Sequence, residues 1–297
     1  MIRFSQLLCP CALLCLSGLL HAAETELAFD VGGETGRGVL ETPDRESPPV
    51  VLLLHGFTGS RDEMQISGTQ EGIFERTARM LAEAGIASLR IDFRGSGDSD
   101  GQWIDTTVTR QIEDAVAAID WLSQHNAVDS DRLAVLGWSL GGLVGTHAAA
   151  QRPGISALVL WAPVVHWLHT IEHLFSAELV AAAWTARDQA PISAQLPWGT
   201  KTTLGAQFFR ELPTVHGAGA IASYPGPLKI IAGSRDAVVF PQPGTSEALL
   251  RYHRGDASLT LLDTDHIWGA ASGPETIDNQ LIPSTLDWLR QHLSVEE

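Results

Sequence analysis

The stretch Arg132-Leu-Ala-Val-Leu-Gly-Trp-Ser-Leu-Gly-Gly-Leu-Val-Gly-Thr-His147 decides how this chain is read. Leu133 to Leu136 is an apolar run short enough for a buried strand, and the small-residue segment Leu143 to Ala150 is compatible with a helix. Between them stands Gly137-Trp-Ser-Leu-Gly141, a G-x-S-x-G sequence. In the order strand, tight turn, helix, that pattern reads as a nucleophile elbow. The turn forces the serine into a strained backbone conformation, and Gly137 and Gly141 leave out the Cβ atoms that would collide there. The Ser139 hydroxyl is then expected to stand clear of the backbone, at the positive end of the following helix. The competing reading is an ordinary glycine-rich strand-to-helix turn.

Outward from this stretch, strand and helix alternate. Val50 to Leu54 is a continuous apolar run, as expected of a central strand covered on both faces. Ile86–Ile91, Ala157–Trp161, Leu228–Ala232 and Ser258–Leu262 read as further strands, with Glu26–Val31 and Arg37–Glu41 around the turn signal Gly32-Gly33. Apolar spacing predicts helices over 72–84, 109–125, 245–252 and 276–292. The alternation argues for an α/β fold with a mostly parallel central sheet and helices on both faces. Ligands in such sheets bind beyond the carboxyl ends of the strands. His55, Asp92, Ser139 and Pro163 fall at or just after strand ends, so they should converge on one side. Residues 164 to about 225 break the rhythm: aromatic residues, several prolines and no good strand suggest an inserted cap over the strand ends.

A serine hydroxyl needs a base, and the base needs a group that fixes its tautomer. The chain order expected is Ser, then Asp or Glu, then His. Asp236 follows the strand at Leu228, and His266 follows the last strand, so Asp236 is assigned as orienting acid and His266 as general base and then acid. Asp263 and Asp265 compete with Asp236 for the role by their nearness to His266. The oxyanion would take the amide of Leu140, after the nucleophile, and that of Phe57, in the loop after Val50–Leu54. His55 is read as holding that loop rather than acting in chemistry. The glycine-rich loop Asp92 to Gly101 lacks the Gly-Lys-Ser/Thr ending of a phosphate loop.

These motifs together resemble the α/β-hydrolase superfamily: His55-Gly-Phe-Thr-Gly59, Asp92-Phe-Arg-Gly-Ser-Gly-Asp-Ser99, Gly137-Trp-Ser-Leu-Gly-Gly142, Gly233-Ser-Arg-Asp236 and Asp265-His266. The resemblance covers nearly all of the chain after residue 23. The His55–Gly59 loop, the cap length and Leu204-Gly-Ala-Gln-Phe-Phe209 are similar to bacterial carboxylesterases of the feruloyl (cinnamoyl) type. Members often have His where Trp138 stands, and Trp at that place also occurs in polyester-degrading hydrolases. The resemblance implies a serine carboxylesterase without a cofactor, taking a small aryl or alkyl ester, with Trp138, Trp167 and Phe208 as candidate substrate-pocket residues. The alternatives are a serine peptidase of the prolyl-oligopeptidase kind, a polyester hydrolase and, last, a hydrolase-fold binding protein without turnover.

The chain has 297 residues and a net charge of −16, which argues against nucleic acid or an anionic membrane as partner. Arg3, the apolar run Leu7 to Leu20 and the small residues Ala22 and Ala23 have the layout of a signal peptide over residues 1–23. That leaves an α/β-hydrolase domain over 24–297 with the cap at about 164–225, and a secreted or periplasmic location. Cys9, Cys11 and Cys15 all lie in the leader, so thiol chemistry and disulfides are not expected after its removal. His166, His169 and His173 share a helical face, but nothing else calls for a metal. The oligomeric state is not legible.

Overall fold

The computed structural model describes residues 22–295; the three cysteines and all but the last two residues of the segment read as a signal peptide fall outside the described residues. Among the described residues, no helix is long and apolar enough to cross a membrane.

The chain opens with two nine-residue strands, β1 (Ala23–Val31) and β2 (Glu34–Thr42), joined antiparallel. The turn between them needs left-handed backbone at Gly32 and Gly33, with φ of 63° and 91°. Then come β3 (Pro49–Leu54), α1 (Ile73–Glu83), β4 (Ala87–Asp92), α2 (Val108–Leu122), β5 (Asp129–Trp138), α3 (Leu140–Gln151) and β6 (Ala157–Trp161). After an insertion, β9 (Leu228–Gly233), α8 (Gly244–Leu250), β10 (Ala257–Leu262) and α9 (Ile282–Leu293) complete the fold. One eight-stranded sheet results, in the order β1-β2-β4-β3-β5-β6-β9-β10. From β4 to β10 all neighbours are parallel, and β1 and β2 add an antiparallel edge. This is the α/β-hydrolase architecture.

The continuous apolar run of β3 has a direct cause. Val50, Leu52 and Leu54 pack into a core with Ile112 and Ile119 of α2 and Leu143 and Val144 of α3. Val51 and Leu53 point the other way, into a core with Phe74 and Leu81 of α1 and Leu289 and Leu293 of α9. Both faces of the strand are dry, so alternation disappears from the sequence.

The insertion between β6 and β9 contains α4 (Trp167–Phe175), α5 (Ala177–Thr185), β7 (Pro191–Gln195), β8 (Lys201–Gly205), α6 (Ala206–Arg210) and α7 (Gly217–Ile221). The expectation of no strand here is corrected: β7 and β8 form a separate antiparallel hairpin. Its turn runs through Gly199 at φ 87°, and Ile192 faces Leu204 across the ladder. The strands are five residues each and largely Ser, Thr, Gln and Lys outside that pair, so the apolar alternation that betrays a strand is short. The closing helix is also not continuous. A π-helical turn, Ile277–Leu281, precedes α9, and Pro283 in the first turn of α9 lacks the N–H that a regular ladder would use.

Candidate active site

Ser139 sits between the end of β5 and the first residue of α3, with φ 56° and ψ −113°. A non-glycine residue rarely takes this conformation, and here the packing enforces it. A Cβ on Gly137 would lie 2.2 Å from the Gly141 carbonyl oxygen, and one on Gly141 would lie 2.0 Å from that of Leu54. The backbone of the turn is therefore pressed against β3, and only glycine fits at both positions. Two further bonds hold the serine: its N–H donates to the Trp161 carbonyl at 2.8 Å, and its carbonyl accepts from Val164 N–H at 3.0 Å.

The side chain of Ser139 meets His266. Its Oγ is 3.1 Å from His266 Nε2, and His266 Nδ1 is 2.7 Å from Asp236 Oδ2. Asp236 is itself held, because its Oδ1 accepts the Val238 and Val239 amides at 2.8 Å each. The competing aspartates are occupied elsewhere. Asp265 accepts the Gly269 amide at 2.9 Å, and the exposed Asp263 pairs with Arg235 at 3.2 Å. The three residues named from sequence thus form one hydrogen-bonded chain.

The loop after β3 lies against this chain. A Cβ on Gly56 would sit 3.6 Å from Ser139 Cβ. His55 is fully buried; its Nδ1–H donates to the Gly56 carbonyl at 2.9 Å and its Nε2 accepts Phe93 N–H at 3.2 Å. That pattern requires a neutral ring, and burial pushes its pKa below the usual histidine value. His55 therefore ties the loop after β3 to the loop after β4. Asp92 does the same from below, accepting Arg61 N–H and Arg61 Nη1–H at 2.8 Å each. Among the described residues, neither the Phe57 amide nor the Leu140 amide donates to a protein acceptor. Both residues line the cavity that opens on Ser139 and His266.

That cavity holds about 590 Å³ and is mostly apolar. Trp138 and Trp167, both named from sequence, are on its wall. Phe208 is not; this expectation is corrected. Its ring is fully buried behind the wall, 5.9 Å from that of Phe57 and 5.1 Å from that of Trp167. Sequence reasoning missed Glu63, Ile171, Leu174 and Val238, which do line the cavity, as does the cap aromatic Trp198. The 167, 171, 174 spacing on α4 was a signal for its lining stripe. For Glu63 there was none. Trp184 faces away and donates its indole N–H to the Phe209 carbonyl at 3.0 Å. His169 and His173 flank the Phe240 ring at 5.0 and 5.1 Å, and among the described residues no group of three His, Cys, Asp or Glu is placed to hold a metal.

The model of the X-Pro dipeptidyl-peptidase (S15) family matches residues 39–196, over half of the chain. The chain belongs to the S15 family. Its matched region holds Ser139 and the Phe57 loop, whereas Asp236 and His266 lie beyond it. Among curated relatives, the chain is 32% identical over 111 residues to a 31.7 kDa protein from the traX-finO intergenic region of Escherichia coli, covering 37% of this chain and 36% of that one. The chain spans about a third to a half of the length of the first curated relatives it matches. Two solved structures share the fold over nearly the whole chain. Est1E from Butyrivibrio proteoclasticus, with ferulic acid bound, superposes with a TM-score of 0.66 at 23% identity, covering 89% of this chain and 96% of that one. The esterase domain of a Rhodothermus marinus protein gives 0.67 at 21% identity, covering 91% and 99%.

Proposed function

We propose that this S15-family chain is a serine hydrolase that cleaves carboxylic esters through an acyl-enzyme on Ser139. The observation that carries this reading is the Ser139–His266–Asp236 hydrogen-bonded chain opening onto an apolar cavity beside two undonated amides. In the acylation step Ser139 Oγ attacks the ester carbonyl and its proton passes to His266 Nε2. Asp236 keeps Nδ1 protonated, so that Nε2 is the basic nitrogen, and it stabilises the imidazolium. The carbonyl oxygen becomes an oxyanion held by the Phe57 and Leu140 amides, at the N-terminus of α3. His266 then protonates the leaving alcohol, and a water activated by the same nitrogen releases the acid.

The substrate reading is a small ester with an apolar aryl or alkyl acyl group, including feruloyl or cinnamoyl esters. The apolar wall of Trp138, Trp167, Ile171 and Leu174 supports it, as does the likeness in fold to a ferulic-acid-bound protein. On the same reading residues 164–225 are a cap over the site, and residues 1–23 direct export to the periplasm or beyond. A second reading, a serine peptidase, is favoured by the description of the family itself. Initial rates on methyl ferulate, a short p-nitrophenyl ester and matching amides, with Ser139→Ala as blank, decide between them. A higher kcat/KM for the esters supports the ester reading. A preference for amides of the same acyl group replaces it with the peptidase, and full activity of Ser139→Ala ends both.

A further inference from the structure

The titratable side chains lining the cavity are His266 and Glu63, and the serine mechanism uses only the first. Glu63 lies midway along the loop between β3 and α1, with φ 62°, a left-handed conformation unusual for a glutamate. Its Oε1 accepts the Gly56 N–H at 2.5 Å. The loop closes directly over the carboxyl, since a Cβ on Gly59 would lie 2.8 and 2.9 Å from its two oxygens. Gly56 is therefore gripped on both sides. Its N–H goes to Glu63, and its carbonyl accepts from His55 Nδ1–H at 2.9 Å and from Gly59 N–H at 3.2 Å. The next peptide is planar and trans, so its N–H, that of Phe57, points opposite to the Gly56 carbonyl.

We propose that Glu63 is a positioning residue for the oxyanion donor: by accepting the Gly56 N–H it anchors the His55–Gly56 peptide, and together with the His55 and Gly59 bonds to the Gly56 carbonyl this fixes the following peptide, which presents the Phe57 N–H to the reacting carbonyl. This rests on the ester-hydrolase reading for the role of Phe57, not for the grip on Gly56. The charged groups around Glu63 are all committed to other partners. Arg61 pairs with Asp92 and Asp98, Asp62 faces Arg90, the His55 ring is neutral, and His266 is bound to Asp236. Among the described residues no cation pairs with the carboxyl, and its burial raises the pKa to about 7. The acceptor of the Gly56 bond thus changes between carboxylic acid and carboxylate near neutral pH.

The test compares Glu63→Gln, which keeps an oxygen acceptor but cannot ionise, with Glu63→Ala, which has none. Removing a fixed oxyanion donor costs on the order of 10²–10³-fold in kcat, and misplacing one costs part of that. Glu63→Ala is expected to lower kcat by about 10–100-fold with KM within about twofold. Glu63→Gln is expected to recover to within about threefold of wild type and to lose one ionisation from the pH profile of kcat. Wild-type kcat in Glu63→Ala, or equal impairment of the two variants, overturns the proposal. A readout independent of turnover guards against misfolding and against failure of the ester reading. The Gly56 amide proton, followed by NMR, should titrate with a midpoint near pH 7 in the wild type, stay flat in Glu63→Gln and move upfield in Glu63→Ala as its hydrogen bond is lost; a Gly56 resonance at the wild-type shift in Glu63→Ala overturns the proposal. Covalent labelling of Ser139 by a fluorophosphonate tests the hydrolase reading separately: an unlabelled, inert wild type ends that reading, while the Gly56 titration still reports on the grip.

Discussion

Asp236 divides its two carboxylate oxygens: Oδ2 meets His266 Nδ1 at 2.7 Å, while Oδ1 accepts the amides of Val238 and Val239. The turn after β9 thereby locks the carboxylate that orients the imidazole. Asp236→Asn keeps the shape and offers an amide whose NH₂ favours the wrong histidine tautomer. A loss in kcat of about 10⁴-fold with KM little changed is expected, as for such changes in serine hydrolases generally. Steady-state kinetics on a p-nitrophenyl ester measure it; a loss under tenfold would mean that another group orients His266.

The glycines of the elbow should differ sharply in tolerance. A Cβ on Gly141 would meet the Leu54 carbonyl oxygen at 2.0 Å, and backbone cannot move aside cheaply. Gly141→Ala should therefore cost at least the ~1–3 kcal/mol typical of overpacking. On the same helix, a Cβ on Gly145 would meet no backbone, only the side chains of Val135 at 3.3 Å, Leu54 at 3.5 Å and Leu158 at 3.7 Å. Gly145→Ala should be near neutral, because alanine is about 1 kcal/mol better in a helix interior. Urea denaturation midpoints of the two variants provide the comparison, and equal destabilisation would refute it.

Trp198 and Phe208 should separate binding from stability. Trp198 lines the cavity with 47% of its surface exposed, whereas Phe208 is fully enclosed behind Phe57 and Trp167. Trp198→Ala is expected to raise KM for aryl esters several-fold and leave the thermal midpoint unchanged. Phe208→Ala is expected to cost about 3–5 kcal/mol of stability. Reversed outcomes would place Phe208 on the substrate.

Stability should fall as pH rises through neutrality. Burial raises Glu41 and Glu63 to about 7 from 4.5, and Asp114 to about 6 from 3.8, even though Arg90 and Arg94 stand near the first and the last. A folded-state pKa above the unfolded one means that the folded state binds the proton more tightly. The contribution is complete below the unfolded value and is lost as pH passes through the folded one. Thermal midpoints should therefore drop between about pH 5 and pH 8. Glu41→Gln should flatten that drop; an unchanged slope would remove Glu41 from the account.

Residues 133–145 and 50–59 carried most of the site in their order alone. A strand buried on both faces must be a continuous apolar run, and a serine held between a strand and a helix needs glycine on either side, so both facts are written locally. The positions of Asp236 and His266 after their strands were legible for the same reason. Tertiary structure alone chose Asp236 over Asp263 and Asp265, because the three all follow strands and only packing decides which carboxylate meets the imidazole. It likewise brought Trp198, in the turn between β7 and β8, to the cavity, moved Phe208 behind the wall and turned Glu63 under Gly56. Local sequence specifies the shape of a turn or a strand. Which side of a loop faces a cavity depends on contacts between residues far apart in the chain, and no local pattern records them.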